Sequence, residues 1–168
     1  FSAGMIDIAR QRNPEIPYDV ADMITYRPEA RYDLVTCTGD ALNHIAALSD
    51  VEQIFRNVRS YTAEGGYFIF DILNENEVST SEPFEMDFSD TVRVWFQMTR
   101  PGNKQVNLKI RVYEQDALQF EEIIRETVHA PTTICNLLRK TGFEVVKCEN
   151  RLLDTNNPGT TWFIIARR

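Results

Sequence analysis

The sequence predicts a single α/β domain in which a parallel strand–helix–strand unit carries an antiparallel β insert and ends in an antiparallel strand pair. Three observations predict it. An apolar strand, Tyr32 to Cys37, opens into Thr38-Gly39-Asp40, and an amphipathic helix then leads through Gly65-Gly66 to a second apolar strand ending at Asp71. Nearly continuous apolar character suits strands covered on both faces, and strand, helix, strand in that order implies a right-handed parallel crossover. Between Asp90 and Val128 the period changes to alternation, which gives each strand one apolar face. Finally, two apolar segments near the C-terminus flank the turn-rich Asp154-Thr-Asn-Asn-Pro-Gly159.

Each element has its own reason. Ser2 is a helix cap for residues 3 to 12, with Met5, Ile8 and Ala9 on one face, and Pro14 and Pro17 bar continuation. A short strand is expected from Tyr18 to Ala21, with Asp22-Met23 as its exit turn and a loop or short helix from Ile24 to Arg31. Ser49-Asp-Val-Glu52 has capping-box spacing, and Val51, Ile54, Phe55, Val58 and Tyr61 follow at helical intervals until Gly65-Gly66 stops the helix. Polar residues from Asn74 to Glu82 announce the insert, residues 84–128. It is read as three strands, 91–99, 105–114 and 119–127, with turns at Pro101-Gly102-Asn103 and near Gln115-Asp116. Pro131 and Gly142 bracket a helix bearing Ile134, Leu137 and Leu138, and strands over 143–148 and 161–166 close the fold. No internal repeat or linker divides the 168 residues, so one domain is expected.

Composition excludes some functions. A formal charge of -7 with no run of Lys or Arg argues against a phosphate-binding face for nucleic acid. No apolar run reaches the roughly 20 residues that span a bilayer, and no secretory signal is evident, so no membrane partner and a cytoplasmic location are expected. Cys37, Cys135 and Cys148 are odd in number and widely spaced, which fits buried thiols rather than a disulfide framework or zinc site. Because the chain opens at Phe1 without Met, one residue before a helix cap, it is expected to be cut at its N-terminus.

The segment Tyr32-Asp-Leu-Val-Thr-Cys-Thr-Gly-Asp-Ala-Leu-Asn-His44, followed by Gly65-Gly-Tyr-Phe-Ile-Phe-Asp71, resembles the class I S-adenosylmethionine-dependent methyltransferases of small-molecule type. The likeness runs through Gly142-Phe143 to the closing strand pair. It implies a Rossmann-like, mostly parallel sheet with an antiparallel final pair. The family's glycine-rich loop and the acidic residue of its second strand have no counterpart here, and the first strands of the sheet are expected upstream. A chain without them is expected to fold poorly and bind cofactor weakly.

The resemblance also assigns residues. Asp22 and Met23 match the positions beside the adenine, where a carboxylate accepts from the exocyclic amine; the other reading of Asp22 is a turn cap. Cys37, Thr38 and Gly39 match the strand end that passes the methionine moiety, with Gly39 permitting positive φ or close approach. Asp40 and His44 are the catalytic candidates, His44 as a general base or, alternatively, a partner of loop backbone. Asn43 and the insert residues Trp95, Arg111 and Tyr113, with Gln97, are candidates for the substrate wall, against a reading of plain sheet contacts. No metal is implied. The expected activity is methyl transfer from S-adenosylmethionine to N or O of a small-molecule acceptor. The alternative is a non-catalytic scaffold, and in either case the insert can pair two copies as a homodimer.

Overall fold

The computed structural model describes residues 2–74, 82–150 and 161–168. The expected turn at 154–159 and most of the polar segment 74–82 lie outside the described residues. Helix α1 (Ala3–Arg12) starts where Ser2 Oγ accepts from the Met5 N–H at 3.4 Å. It buries none of its residues, so the apolar face of Met5 and Ile8 stays in solvent. The strand expected at Tyr18 to Ala21 is not formed. That segment runs irregularly into a turn at Asp22, whose backbone carbonyl accepts from Thr25 and Tyr26, because no strand lies alongside to pair with it.

Strand β1 (Tyr32–Cys37) runs into a single-turn 3-10 helix (Ala41–His44), then α2 (Leu48–Tyr61) and β2 (Thr62–Leu73). β1 and β2 pair in parallel, from Leu34 opposite Tyr67 to Cys37 opposite Phe70. The capping box is not used: α2 begins two residues earlier, after Ala47, which makes no side-chain cap bond. Glu52 instead holds Arg56 at 2.5 Å and Lys140 at 2.7 Å. Nor does Gly65-Gly66 stop the helix. Thr62 does so, its hydroxyl donating to the Val58 carbonyl at 2.8 Å, and β2 begins there. Gly66 serves close approach, since a Cβ would lie 2.9 Å from the Asp33 carbonyl oxygen.

The insert has four strands rather than three: β3 (Phe84–Asp87), β4 (Val92–Gly102), β5 (Gln105–Glu114) and β6 (Ala117–Thr127), all antiparallel in that order. β3 alternates apolar and polar residues, Phe84-Glu-Met-Asp87, but four residues are too short a run to stand out from the polar segment before them. The β5–β6 hairpin turns through Gln115 and Asp116, both at positive φ as a type I′ turn requires. α3 (Pro131–Lys140) then ends at Gly142, φ 92°, where the Phe143 N–H closes on the Leu138 carbonyl. β7 (Glu144–Glu149) and β8 (Thr161–Arg167) complete the first sheet, ordered β1-β2-β8-β7. That sheet is mixed: β7 and β8 form the expected antiparallel final pair and β8 is also antiparallel to β2, while β1 and β2 pair in parallel and β7 runs in their direction.

The main core lies between one face of this sheet and the two helices α2 and α3, joining Ile54, Phe55 and Leu138 to Phe68, Phe70, Ile72 and Ile164. The other face is not covered by helix over β1, where Leu34 is 55% exposed, so the expectation of two-sided burial fails there. A second core of Leu73, Val106 and Val128, with Met98 against it, joins the insert to the end of β2. This places one face of the insert at the C-terminal ends of the parallel strands, where open α/β sheets bind ligands.

Candidate functional site

Gly39 and Asp40 leave the end of β1 at φ 78° and 57°. For Gly39 the positive φ is the need; a Cβ there would meet nothing within 4 Å. An Asp tolerates the left-handed region because its short polar side chain interacts locally. Asp71, on the neighbouring strand, holds the bend: its carboxylate accepts from the Gly39 and Asp40 N–H groups, both at 3.2 Å. The Asp40 carboxyl is drawn above the ordinary range by burial and then by the Asp71 charge, with His44 opposing. Among the described residues its Oδ1 is buried without a hydrogen-bond partner. Burial, with a smaller push from Asp71, lifts the Cys37 thiol to about 11, so it stays neutral.

Three contacts in consecutive residues fasten the 3-10 turn to the end of the insert. Asn43, fully buried, donates from Nδ2 to the Thr127 carbonyl at 2.7 Å and accepts the Leu73 N–H at 3.1 Å. His44 Nε2 lies 3.7 Å from Glu126 Oε1, and the Ile45 carbonyl accepts from His129 Nε2 at 2.8 Å. Asn43 is thus committed to joining three strand ends, while His44 remains about half exposed beside the crevice. The Glu126 carboxyl is raised chiefly by burial, against the opposing influence of His44.

On the other side of β1, Met23 and Cys37 line an open groove of about 410 Å³ with Tyr26, Tyr32, Tyr61 and Phe68. A second hollow of about 320 Å³, lined by Ile6, Tyr18 and Asp19 among others, shares Met23, Tyr26 and Tyr61 with it. Asn57 anchors this side: buried in α2, it donates to the Ile24 carbonyl at 2.7 Å and accepts from Arg27 at 3.1 Å. Asp22 caps the same loop, its Oδ1 accepting the Ile24 N–H at 2.8 Å. An ionised carboxylate has further lone pairs, so the cap leaves acceptor capacity.

Of the candidate residues, Met23 and Cys37 share the groove and Asp22 caps the loop beside Met23, while Thr38, Gly39, Asp40, Asn43 and His44 follow one another after the end of β1. Trp95, Arg111 and Tyr113 do not join them. Trp95 faces Arg111 across β4 and β5, one face over from the Met98, Val106 and Glu126 side that meets the sheet. Arg111 lies over the Trp95 ring at 4.8 Å and bonds Glu121 at 2.5 Å, which makes a cross-strand ladder on the outer face. The sequence reading passed over Asp71 as a site residue, and over Tyr61 and Glu126. Asp71 had a signal, as a carboxylate ending a buried strand; Glu126 had none, because 82 residues separate it from His44.

No family model and no curated protein matches the chain. Solved structures do. An S-adenosylmethionine-dependent methyltransferase from Clostridium acetobutylicum matches with a TM-score of 0.83 at 20% identity, over 99% of this chain and 72% of that one. An amino pentose methyltransferase from Micromonospora echinaspora, solved with S-adenosylmethionine bound, matches at 0.79 and 19% identity over 100% and 72%. A sugar N-methyltransferase from a Streptoalloteichus species matches at 0.78 and 15% identity over 99% and 69%. At these identities the shared property is the architecture: the chain has the fold of the S-adenosylmethionine-dependent methyltransferases.

Proposed function

We propose that the protein transfers a methyl group from S-adenosylmethionine to N or O of a small molecule. The observation that carries this is the bend at the end of β1. Its backbone is held by Asp71 and its Asp40 presents a buried oxygen, unpartnered among the described residues, at the strand ends. Such an oxygen calls for a donor or a cation, and a sulfonium cofactor and an amine acceptor each supply positive charge. When bound, the cofactor supplies a methyl group already activated on sulfur, so the protein's part is positioning, exclusion of water and handling of the acceptor's proton.

Asp22 and Met23 would hold the adenine end, with Cys37, Thr38 and Gly39 along the methionine end. His44 would take the proton. Asp40 and Glu126 beside it favour an amine over a hydroxyl, and the neighbours described as sugar N- and amino pentose methyltransferases agree with that preference. The test is transfer of labelled methyl from S-adenosylmethionine to panels of amino and hydroxy sugars by the full-length protein. Label on the amino compounds supports the reading; no transfer to any acceptor contradicts it.

The homodimer has an observation of its own. Phe84, Met86 and Phe120, on one face of the insert, are each about half exposed. Phe84→Glu should convert a dimer to a monomer in sedimentation, and an unchanged sedimentation coefficient would count against pairing through this face.

A further inference from the structure

Resting on that reading, we propose that Glu126 is a positioning residue for proton transfer, holding the His44 imidazole with Nε2–H turned to the insert and Nδ1 turned to the acceptor. The geometry begins with the contact itself, His44 Nε2 to Glu126 Oε1 at 3.7 Å, between the turn after β1 and the last strand of the insert. On either side of it, Asn43 binds the Thr127 carbonyl and His129 binds the Ile45 carbonyl, so the backbone carrying each partner is tied down within one residue. Glu126 is well shielded, 14% exposed at its side chain, while His44 is 47% exposed. One end of the imidazole thus meets a carboxylate from the protein interior, and the other is open to a ligand.

An ionised carboxylate only accepts, so when the 3.7 Å contact closes to hydrogen-bond distance the imidazole nitrogen facing it carries the hydrogen, and the neutral ring is then an acceptor at Nδ1. In the transfer step the acceptor's lone pair bonds to the methyl carbon, and the carbon–sulfur bond breaks with its electron pair returning to sulfur. The proton displaced from the acceptor passes to Nδ1 of His44. The imidazolium so formed lies beside Glu126, with Asp40 at the start of the same turn as a second negative group. Glu126 of β6 stands opposite Val106 of β5, which is fully buried. Among the described residues, the charged group felt by both members of the pair is Asp40, whose own bend is held by Asp71 of β2.

The experiment uses the only two histidines of the chain, His44 and His129. Long-range nitrogen–proton spectra of the ¹⁵N-histidine-labelled full-length protein, at mildly alkaline pH, report the tautomer of each ring. His129 is the internal control for folding, since the Ile45 carbonyl obliges its Nε2 to donate. The wild type should show His44 predominantly as the Nε2–H tautomer. Glu126→Gln should produce a mixture at His44 with His129 unchanged, and Glu126→Asp should restore much of the single tautomer. In steady state with an acceptor that the wild type methylates, Glu126→Gln should lower kcat roughly 10-fold to 100-fold with KM within about 2-fold, and Glu126→Asp should recover part of kcat.

An unchanged His44 spectrum in Glu126→Gln overturns the inference whatever the rates do. A changed spectrum with unchanged kcat also overturns it, by removing the proton-transfer role. A wild type with ordered His44 but no transfer to any acceptor would instead sink the proposed activity and the catalytic meaning of the pair with it, leaving the spectral result to show which of the two failed.

Discussion

Asp22 and Asp40 illustrate how differently two carboxylates are used. Asp22 already caps its loop through Oδ1, so its sequence-level alternatives are both open to one variant. Asp22→Ala in the full-length protein should leave the fold intact and weaken cofactor binding at least ~10-fold, as loss of a charge-assisted hydrogen bond worth about 1.5 to 3 kcal/mol requires. Unchanged affinity by calorimetry would make Asp22 a turn cap alone. Asp40 is raised by burial, so folding favours its protonated form. That contribution is complete below the ordinary carboxylate range and is lost as pH rises through the raised value. Asn keeps the left-handed bend and cannot ionise. Asp40→Asn should therefore gain melting temperature relative to wild type between acid and neutral pH, and a pH-independent difference would refute this. Neither the positive φ of Asp40 nor its partnership with Asp71 was legible in the sequence, since both arise only when β1 and β2 lie side by side.

Elements were read best where their signal is local and periodic. The apolar face of α2, the Pro131 and Gly142 bracket of α3 and the Gln115-Asp116 turn all stand where periodicity or turn chemistry placed them. The strand at 18–21 and the capping box failed because the first lacks a neighbour to pair with and the second competes with ion pairs from Glu52 to Arg56 and Lys140. Gly66 serves the approach of two strands and not the end of α2. It lies where β1 and β2 come closest, and a Cβ at 2.9 Å from backbone oxygen cannot be relieved by a side chain moving. Gly66→Ala should cost about 1 to 3 kcal/mol in chemical denaturation by forcing the two strands apart. A loss below a few tenths would show the approach to be looser than described. The insert is also testable as an element. Replacing Phe84 to Val128 with a short Gly-Ser link removes Glu126, Thr127 and the Val106 and Val128 side of the joint. Cofactor binding should persist and transfer should vanish. Retained turnover would place the acceptor site elsewhere.

At the scale of the molecule, two sheets meet where Leu73, Val106 and Val128 pack, and the turn after β1 is clamped between them. The fold class was legible because periodicity changes character at the insert. The outward facing of Trp95, Arg111 and Tyr113 was not, because alternation defines two faces without saying which one meets the sheet. Among the described residues no helix is long and apolar enough to cross a membrane, and no cluster of His, Cys, Asp and Glu is suited to a metal ion. The chemistry proposed rests instead on a groove beside β1 and on acidic groups at the strand ends. The most direct measurement is calorimetric titration of the full-length protein with S-adenosylmethionine and with its demethylated product, S-adenosylhomocysteine. Saturable binding of both at one site, weakened in Asp22→Ala, is the predicted result; absence of binding by either would contradict the account.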